Sequence, residues 1–147
     1  MKNMDFDVAG LRRSVGFSQK TFAILFGFPL GSLKNWEQGV RKNISGGVLA
    51  YLEMIKFDPK GMETIALTKL SENVESCLGT LNPEQVEKRF SDYLSVVKVF
   101  SLDLYFSSLV NFYVSHRGLI SDEAWVRLGF KPGLEEKFKE QIDGEFS

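Results

Sequence analysis

Apolar residues recur along the chain at intervals of three and four, the spacing that places side chains on one face of an α-helix. No segment alternates apolar and polar residues between hairpin turns, so we predict helices throughout and an all-α fold. The predicted helices span about 7–14, 19–26, 29–38, 46–57, 62–78, 83–116, 121–128 and 134–142. From Val96 onward, helix 83–116 is apolar nearly all round, which indicates a central place in the core or cover by another chain.

Residues typical of helix ends separate the first of these helices. Ser18 stands at an N-cap position, where its side chain can accept a hydrogen bond from the amides of the next turn. Gly27 and Gly39 follow the last residues of the second and third helices, as C-terminal glycines do. Pro29 opens the third helix, where its missing N–H costs nothing. These signals predict three short helices before residue 40.

Charge is distributed unevenly along the chain. The whole chain of 147 residues, with 44% hydrophobic and 25% charged residues, has the composition of a globular protein and a net charge of −1. A break at 58–61 predicts an N-terminal domain, 1–60, with nine basic and five acidic residues, and a helical region, 61–147, with nine and fourteen. The segment from Arg12 to Lys42 contains six basic residues and one acidic residue, Glu37. This excess of positive charge favours a polyanion-binding segment.

Several protein classes are excluded or disfavoured. The single cysteine, Cys77, excludes an internal disulfide and zinc sites built on cysteine pairs. No secretory signal is present, and the longest uncharged apolar stretch of the second half, 104–115, is shorter than the roughly 20 residues of a membrane span. We therefore expect a cytoplasmic protein without a membrane partner. Because no phosphate loop, triad spacing or metal cluster is found, we expect no enzyme, cofactor or metal.

Three short helices in about 30 residues, the second and third joined through Gly27, form a helix-turn-helix pattern. In this motif the third helix enters the major groove with its first residues at the base edges, while the second crosses the DNA backbone. The third helix must then be apolar inside and polar outside. Leu33 and Trp36 are predicted to face the core. The residues left for the groove are Ser32, Lys34 and Asn35.

Residues 17–39 resemble the Xre/Cro helix-turn-helix family. The resemblance is carried by Ser18-Gln19 at the start of the second helix, Gly27 in the turn, and Trp36-Glu37-Gln38-Gly39 at the end of the third. The run Pro29-Leu30-Gly31-Ser32-Leu33 is similar to a HigA-like antitoxin branch. The likeness covers residues 6–60, and it implies a bundle of helices that binds double-stranded DNA.

The resemblance also implies roles for individual residues. Gln19 corresponds to a phosphate contact that braces a base-reading side chain, and Arg41 and Lys42 to a loop along the DNA backbone. Arg12 and Glu37 match a pair that forms an internal salt bridge in some relatives, so we predict a structural pair. The full set predicted to contact DNA is Arg13, Ser18, Gln19, Lys20, Gly31, Ser32, Lys34, Asn35, Arg41 and Lys42.

The start of the third helix departs from the family. Many relatives carry Gln or Arg where this chain has Leu30 and Gly31. Leucine cannot donate to a base, although it can touch a thymine methyl group, and glycine permits close backbone approach. Base specificity is therefore expected to shift toward Ser32, Lys34 and Asn35.

The second half carries an excess of aromatic residues, and a long helix with several apolar faces is hard to cover with one thin layer of helices. We predict a homodimer or partner interface there. Its predicted residues are Phe100, Leu104, Tyr105, Phe106, Leu109, Phe112 and Tyr113. Two copies would double the contacts and read two half-sites about 34 Å apart.

The function expected from these features is a sequence-specific DNA-binding transcriptional regulator, acting as a dimeric repressor. One alternative is an antitoxin that binds a toxin through its second half and represses its own operon. A second alternative is a protein-interaction module whose helix-turn-helix does not bind DNA, which Leu30 and Gly31 would permit.

Overall fold

The computed structural model describes residues 6–39, 44–76 and 78–131, and its secondary structure there is helical, without strands. This confirms the predicted all-α fold. The α-helices are α1 Val8–Ser14, α2 Gln19–Phe26, α3 Leu30–Gln38, α4 Gly46–Phe57, α5 Pro59–Ser76, α6 Pro83–Phe100, α7 Leu102–His116 and α8 Asp122–Arg127, with 3-10 turns at Leu78–Thr80 and Arg117–Leu119. Among these helices none is long and apolar enough to cross a membrane. Arg41, Lys42 and the predicted helix 134–142 lie outside the described residues.

The chain forms two compact units, Met1–Glu72 and Asn73–Ser147. The break expected at 58–61 is a single residue, Asp58, which ends α4. Its carboxylate accepts a hydrogen bond of 3.1 Å from the Gly61 amide, while Pro59 occupies a first-turn position that needs no donor. Helix α5 therefore starts earlier than predicted and continues past Lys60, and the division between the units falls within it.

The first unit is built around α2 and α3, which pack against each other, with α1 also packed on α3. Phe22, Leu33, Leu52 and Ile55 are completely buried, so α2, α3 and α4 all contribute to its core. The ring centroids of Phe22 lie 4.9 Å from Phe26 and 5.9 Å from Phe28. A core of this kind fixes one face of α3 and leaves the other face outside.

The sequence predicts one long helix over 83–116, either straight or bent, and the structure divides it into two, because α6 ends at Phe100 and α7 begins at Leu102. Between them Ser101 is extended, at φ −162° and ψ 124°. Its N–H still donates to Val97 O at 2.9 Å, and its Oγ accepts from the Leu104 amide at 3.1 Å. One serine thus ends one helix and caps the next, and α7 folds back onto α6. The segment supplies the inner faces of two helices, with Val97 of α6 and Leu109 of α7 completely buried, and its remaining apolar residues include exposed ones.

Aromatic rings fill the core of the second unit. The ring centroids of Phe90 lie 4.5 Å from Phe112 and 5.6 Å from Trp125, and those of Tyr113 and Phe130 are 3.9 Å apart. The indole N–H of Trp125 donates to the Arg117 carbonyl at 3.1 Å, so this buried polar group is satisfied.

This core corrects the predicted partner interface. Leu109, Phe112 and Tyr113 are buried within their own chain. The ring of Phe112 stacks on Phe90 of α6, and the ring of Tyr113 stacks on Phe130. Tyr105 is half-buried, and its hydroxyl donates to the Leu128 carbonyl at 3.2 Å. Of the seven residues, those that remain exposed are Phe100, Leu104 and Phe106.

Candidate nucleic-acid interface

The turn between α2 and α3 is set by local capping. Ser18 Oγ accepts from the Thr21 amide at 3.1 Å, so this serine caps α2 as predicted. At the other end Gly27 adopts a left-handed conformation, φ 81° and ψ 24°, which a residue with a Cβ rarely adopts. The amides of Gly27 and Phe28 both donate to Ala23 O at 2.9 Å. The chain then enters α3 through Pro29, with no side-chain cap on its first amides.

An ion pair ties α1 to α3. Arg12 Nε donates to Glu37 Oε2 at 2.7 Å and Arg12 Nη2 to Oε1 at 2.9 Å, the predicted pairing in a two-pronged form. The third guanidinium nitrogen donates to the Phe17 carbonyl at 3.0 Å, and the Gln19 amide donates to Glu37 Oε1 at 3.1 Å. The side chains of Arg12 and Glu37 are only 13% and 6% exposed. One carboxylate therefore joins α1, the start of α2 and the end of α3.

The same contacts set the charge of Glu37. The hydrogen bond from Arg12 is the largest cause that lowers the pKa of Glu37, with a further contribution from Gln19. The hydrogen bond to Glu37 likewise raises the pKa of Arg12. Glu37 is the only acidic residue from Val8 to Leu52, and its charge is neutralised within the unit. The exposed surface of α2 and α3 therefore presents no carboxylate of its own.

The outer face of α3 is polar. With about 100° of rotation per residue, Gly31, Lys34, Asn35 and Gln38 lie away from the buried Leu33. Lys34 and Gln38 are exposed and Asn35 is partly exposed. A Cβ added at Gly31 would meet nothing within 4 Å, so space is open at the first turn. This face can donate and accept hydrogen bonds and can be approached closely.

Trp36 differs from its prediction as a core residue. It is only partly buried and lies edge-on to Phe28, with ring centroids 5.4 Å apart at 84°. The helical spacing put Trp36 on a flank of α3 and not at the centre of its inner face, which Leu33 occupies. A cavity of about 510 Å³ opens beside it. The lining residues are Phe26, Gly27, Phe28, Pro29, Ser32, Trp36, Ser45, Val48 and Tyr51.

Most of the residues predicted to contact DNA reach the surface of the first unit. Arg13, Ser18, Lys20, Gly31 and Lys34 are exposed, and Gln19, Ser32 and Asn35 are partly exposed. Ser32 faces the cavity, beside the outer face that Asn35 occupies. Gln38 was missed by sequence reasoning, although its spacing of four from Lys34 and seven from Gly31 placed it on the same face.

Comparison of the chain with protein-family models, with curated proteins and with solved structures finds no match.

Proposed function

We propose that this protein is a sequence-specific, double-stranded DNA-binding regulator that acts as a dimeric repressor. In this proposal α3 enters the major groove, and the start of α2 lies against the DNA backbone. Occupied operator DNA then blocks transcription. The Xre/Cro resemblance of residues 17–39 is the source of this assignment, and the geometry of the first unit supports it.

One observation carries the proposal. The single acid of residues 8–52, Glu37, is nearly buried and paired with Arg12 and Gln19, with a further electrostatic contribution from Arg13. Arg13, Lys20 and Lys34 are exposed on or beside α2 and α3. Phosphate contacts by such cations supply much of the affinity of proteins for DNA. A matching role for Arg41 and Lys42 remains a prediction.

The outer face of α3 has the chemistry that base reading requires. An asparagine amide can pair with adenine N6 and N7 in the major groove, and a lysine can donate to guanine O6 and N7. Asn35 and Lys34 are adjacent on the exposed side of the helix. The open space at Gly31 allows the first turn to approach the bases closely. The Arg12–Glu37 pair holds this helix in one position.

Selection of bound DNA from a random pool tests the proposal. We expect a recovered consensus with two-fold symmetry, and a double variant, Lys34→Ala with Asn35→Ala, that no longer distinguishes it from scrambled DNA. Each lost pairing with a base should cost about 1–3 kcal/mol of discrimination. The matched control replaces an exposed lysine and asparagine of the second unit, Lys88→Ala with Asn111→Ala. Failure to recover any consensus would contradict sequence-specific DNA binding.

A second candidate function is that of an antitoxin that also represses its own operon. It is favoured by the acidity of residues 61–147, with fourteen acidic and nine basic residues, because such a region suits a basic protein partner. The neighbouring gene discriminates between the two. A neighbouring gene that encodes a small, basic, nuclease-like protein would favour the antitoxin if that protein copurifies with this chain. A free-standing repressor needs no such neighbour.

A further inference from the structure

Exposed apolar side chains gather around the turn that joins α6 to α7. Five of them lie within five residues of Ser101, with exposed fractions between 36% and 57%. We define the turn patch by these residues, Val99, Phe100, Leu102, Leu104 and Phe106. Summed over the five side chains, roughly 400 Å² of apolar surface is exposed around this turn.

The turn patch is nearly uncharged although it belongs to an acidic unit. Residues 73–147 contain eight basic and twelve acidic residues, a net charge of −4. Yet from Val99 to Ser115 the only charged residue is Asp103, in the exposed first turn of α7. Just before the patch is Lys98, whose ammonium group lies 5.3 Å from the centroid of the Tyr105 ring. Along the chain, the turn patch therefore has one cation directly before it, Lys98, and one anion within it, Asp103.

We infer that the turn patch binds a second copy of this chain in a two-fold dimer, with Lys98 of each copy against the partner's Asp103. In a two-fold interface, residue i contacts residue j while j contacts i, so a surface with one cation and one anion complements itself. Because the segment 99–115 carries a single charged residue, Asp103, two acidic units that meet here bring little negative charge together. The inference rests on the proposed function, since reading two half-sites requires two copies.

The size of the turn patch sets the expected strength of this dimer. A typical stable interface buries about 800 Å² on each partner, roughly twice the apolar area available here. We therefore expect a weak dimer in free solution, with a Kd in the micromolar range or above. DNA with two half-sites would then strengthen it, because bound DNA holds the two copies together.

Sedimentation equilibrium of the full chain without DNA tests the apolar part of the inference. Leu102→Glu should raise the dimer Kd at least tenfold, because it buries a carboxylate within the proposed interface. The fold should survive, since Leu102 is 57% exposed and a glutamate in the first turn of α7 is favourable. The matched control is Val114→Glu, also on α7 and 65% exposed but three turns away, which should leave the Kd unchanged. Equal effects of the two variants would overturn the inference.

A charge swap tests the pairing itself. Lys98→Asp alone and Asp103→Lys alone should each weaken self-association about tenfold, because like charges then meet across the interface. The double variant, Lys98→Asp with Asp103→Lys, should return close to the wild-type Kd. A mixture of the two single variants should form heterodimers, since both pairs are then opposite in charge. Absence of rescue in the double variant and in the mixture would overturn the proposed arrangement.

Failure of this inference is separable from failure of DNA reading. Leu102→Glu should still bind DNA that carries one half-site with wild-type affinity, while losing the gain from a second half-site. The Lys34→Ala, Asn35→Ala variant should keep the wild-type dimer Kd. A wild-type chain that sediments as a monomer up to about 1 mM would overturn the dimer whether or not the first unit binds DNA.

Discussion

The two units contain ion pairs of similar geometry in different surroundings. In the first unit, Arg12 and Glu37 form two hydrogen bonds of 2.7 and 2.9 Å with side chains only 13% and 6% exposed. In the second, Arg127 and Glu87 form two of 2.9 and 2.8 Å, but Arg127 is 60% exposed. Water competes for the second pair and much less for the first, so only the first is expected to matter for stability.

The units also differ in what positions their helices. Aromatic rings pack in the cores of both units, and in the second the Trp125 indole and the Tyr105 hydroxyl each donate to a backbone carbonyl. In the first unit, the Arg12–Glu37 pair and Gln19 add directional bonds that are satisfied in one register of α1, α2 and α3. A helix that contacts base edges must be held in a precise position. A unit that carries a protein interface needs mainly enough apolar burial to stay folded. The difference fits the roles proposed for the units.

One tryptophan in each unit allows this difference to be measured. Trp36 is partly buried in the first unit, and Trp125 is 1% exposed in the second. The chain contains no other tryptophan. Trp125→Phe and Trp36→Phe variants therefore give fluorescence signals that report the unfolding of one unit at a time.

The largest effect is expected from Phe90→Ala, in the aromatic core of the second unit. Phe90 is completely buried, so its removal should lower the free energy of unfolding of that unit by about 3–5 kcal/mol. Urea titration should show a lower midpoint for the Trp125 signal and little change for Trp36. Leu33→Ala, equally buried in the first unit, should give the reverse pattern. Equal shifts of both signals would show that the two units unfold as one.

A smaller loss is expected from Arg12→Met, which keeps most of the stem but removes the guanidinium group. It leaves the Glu37 carboxylate nearly buried without its cation, so the first unit should lose about 2–3 kcal/mol, measured by the Trp36 signal. DNA discrimination should fall as well, because α3 is less firmly held. Retained stability would show that water replaces the pair at no cost.

Acid pH tests the same ion pair without changing Arg12. Because the pKa of Glu37 is lowered below its ordinary 4.5, the pair stabilises the folded unit above that value. This contribution should be lost as the pH falls through the folded-state pKa, so the Trp36 urea midpoint should drop as the pH is lowered below 4.5. Glu37→Gln should be less stable at neutral pH but should show a smaller drop. The same pH dependence in the wild type and in Glu37→Gln would show that Glu37 is not the group responsible for the drop.

A still smaller effect, on binding alone, is expected from Gly31→Ala. The added methyl group meets no atom within 4 Å, and alanine favours a helix, so stability should be unchanged or slightly higher. If the first turn of α3 lies against the bases, affinity for the selected DNA should fall by about 1 kcal/mol. Gly118→Ala, also in open space but in the second unit, should leave affinity unchanged.

The smallest effect is expected from Arg127→Ala. Its hydrogen bonds to Glu87 are as short as those of Arg12, but the pair lies at the surface. The Trp125 urea midpoint should move much less than the Trp36 midpoint does in Arg12→Met. A comparable shift in the two variants would remove the distinction between the units, and high salt should reduce only the surface contribution.

Features of the first unit that depend on neighbouring residues were predictable from the sequence. Ser18 as a cap, Gly27 and Gly39 as left-handed ends and the bounds of α2 follow from residues within one helical turn. The Arg12–Glu37 pair was expected only through a family resemblance, because the two residues are 25 apart. Trp36 was misplaced because spacing alone does not distinguish the centre of an inner face from its flank.

In the second unit, local pattern was a poorer guide. No glycine or proline marks the end of α6, and a serine in a helical, apolar context gives no strong stop signal. Ser101 caps α7 where the chain folds back, and this fold places Phe112 on Phe90 of α6. The surplus of apolar residues that predicted an interface is buried only in part within the chain, since Phe100, Leu104 and Phe106 stay exposed.

The sequence by itself determined the helical fold, the caps of the first unit and the separation of a basic segment from an acidic one, because these depend on local propensity and on counting charges. Only the tertiary structure decided that Glu37 lies under the surface beside Arg12, and that the long apolar segment is a hairpin with five apolar residues exposed around its turn. The physical reason is that burial depends on which surfaces meet, and residues far apart along the chain determine that.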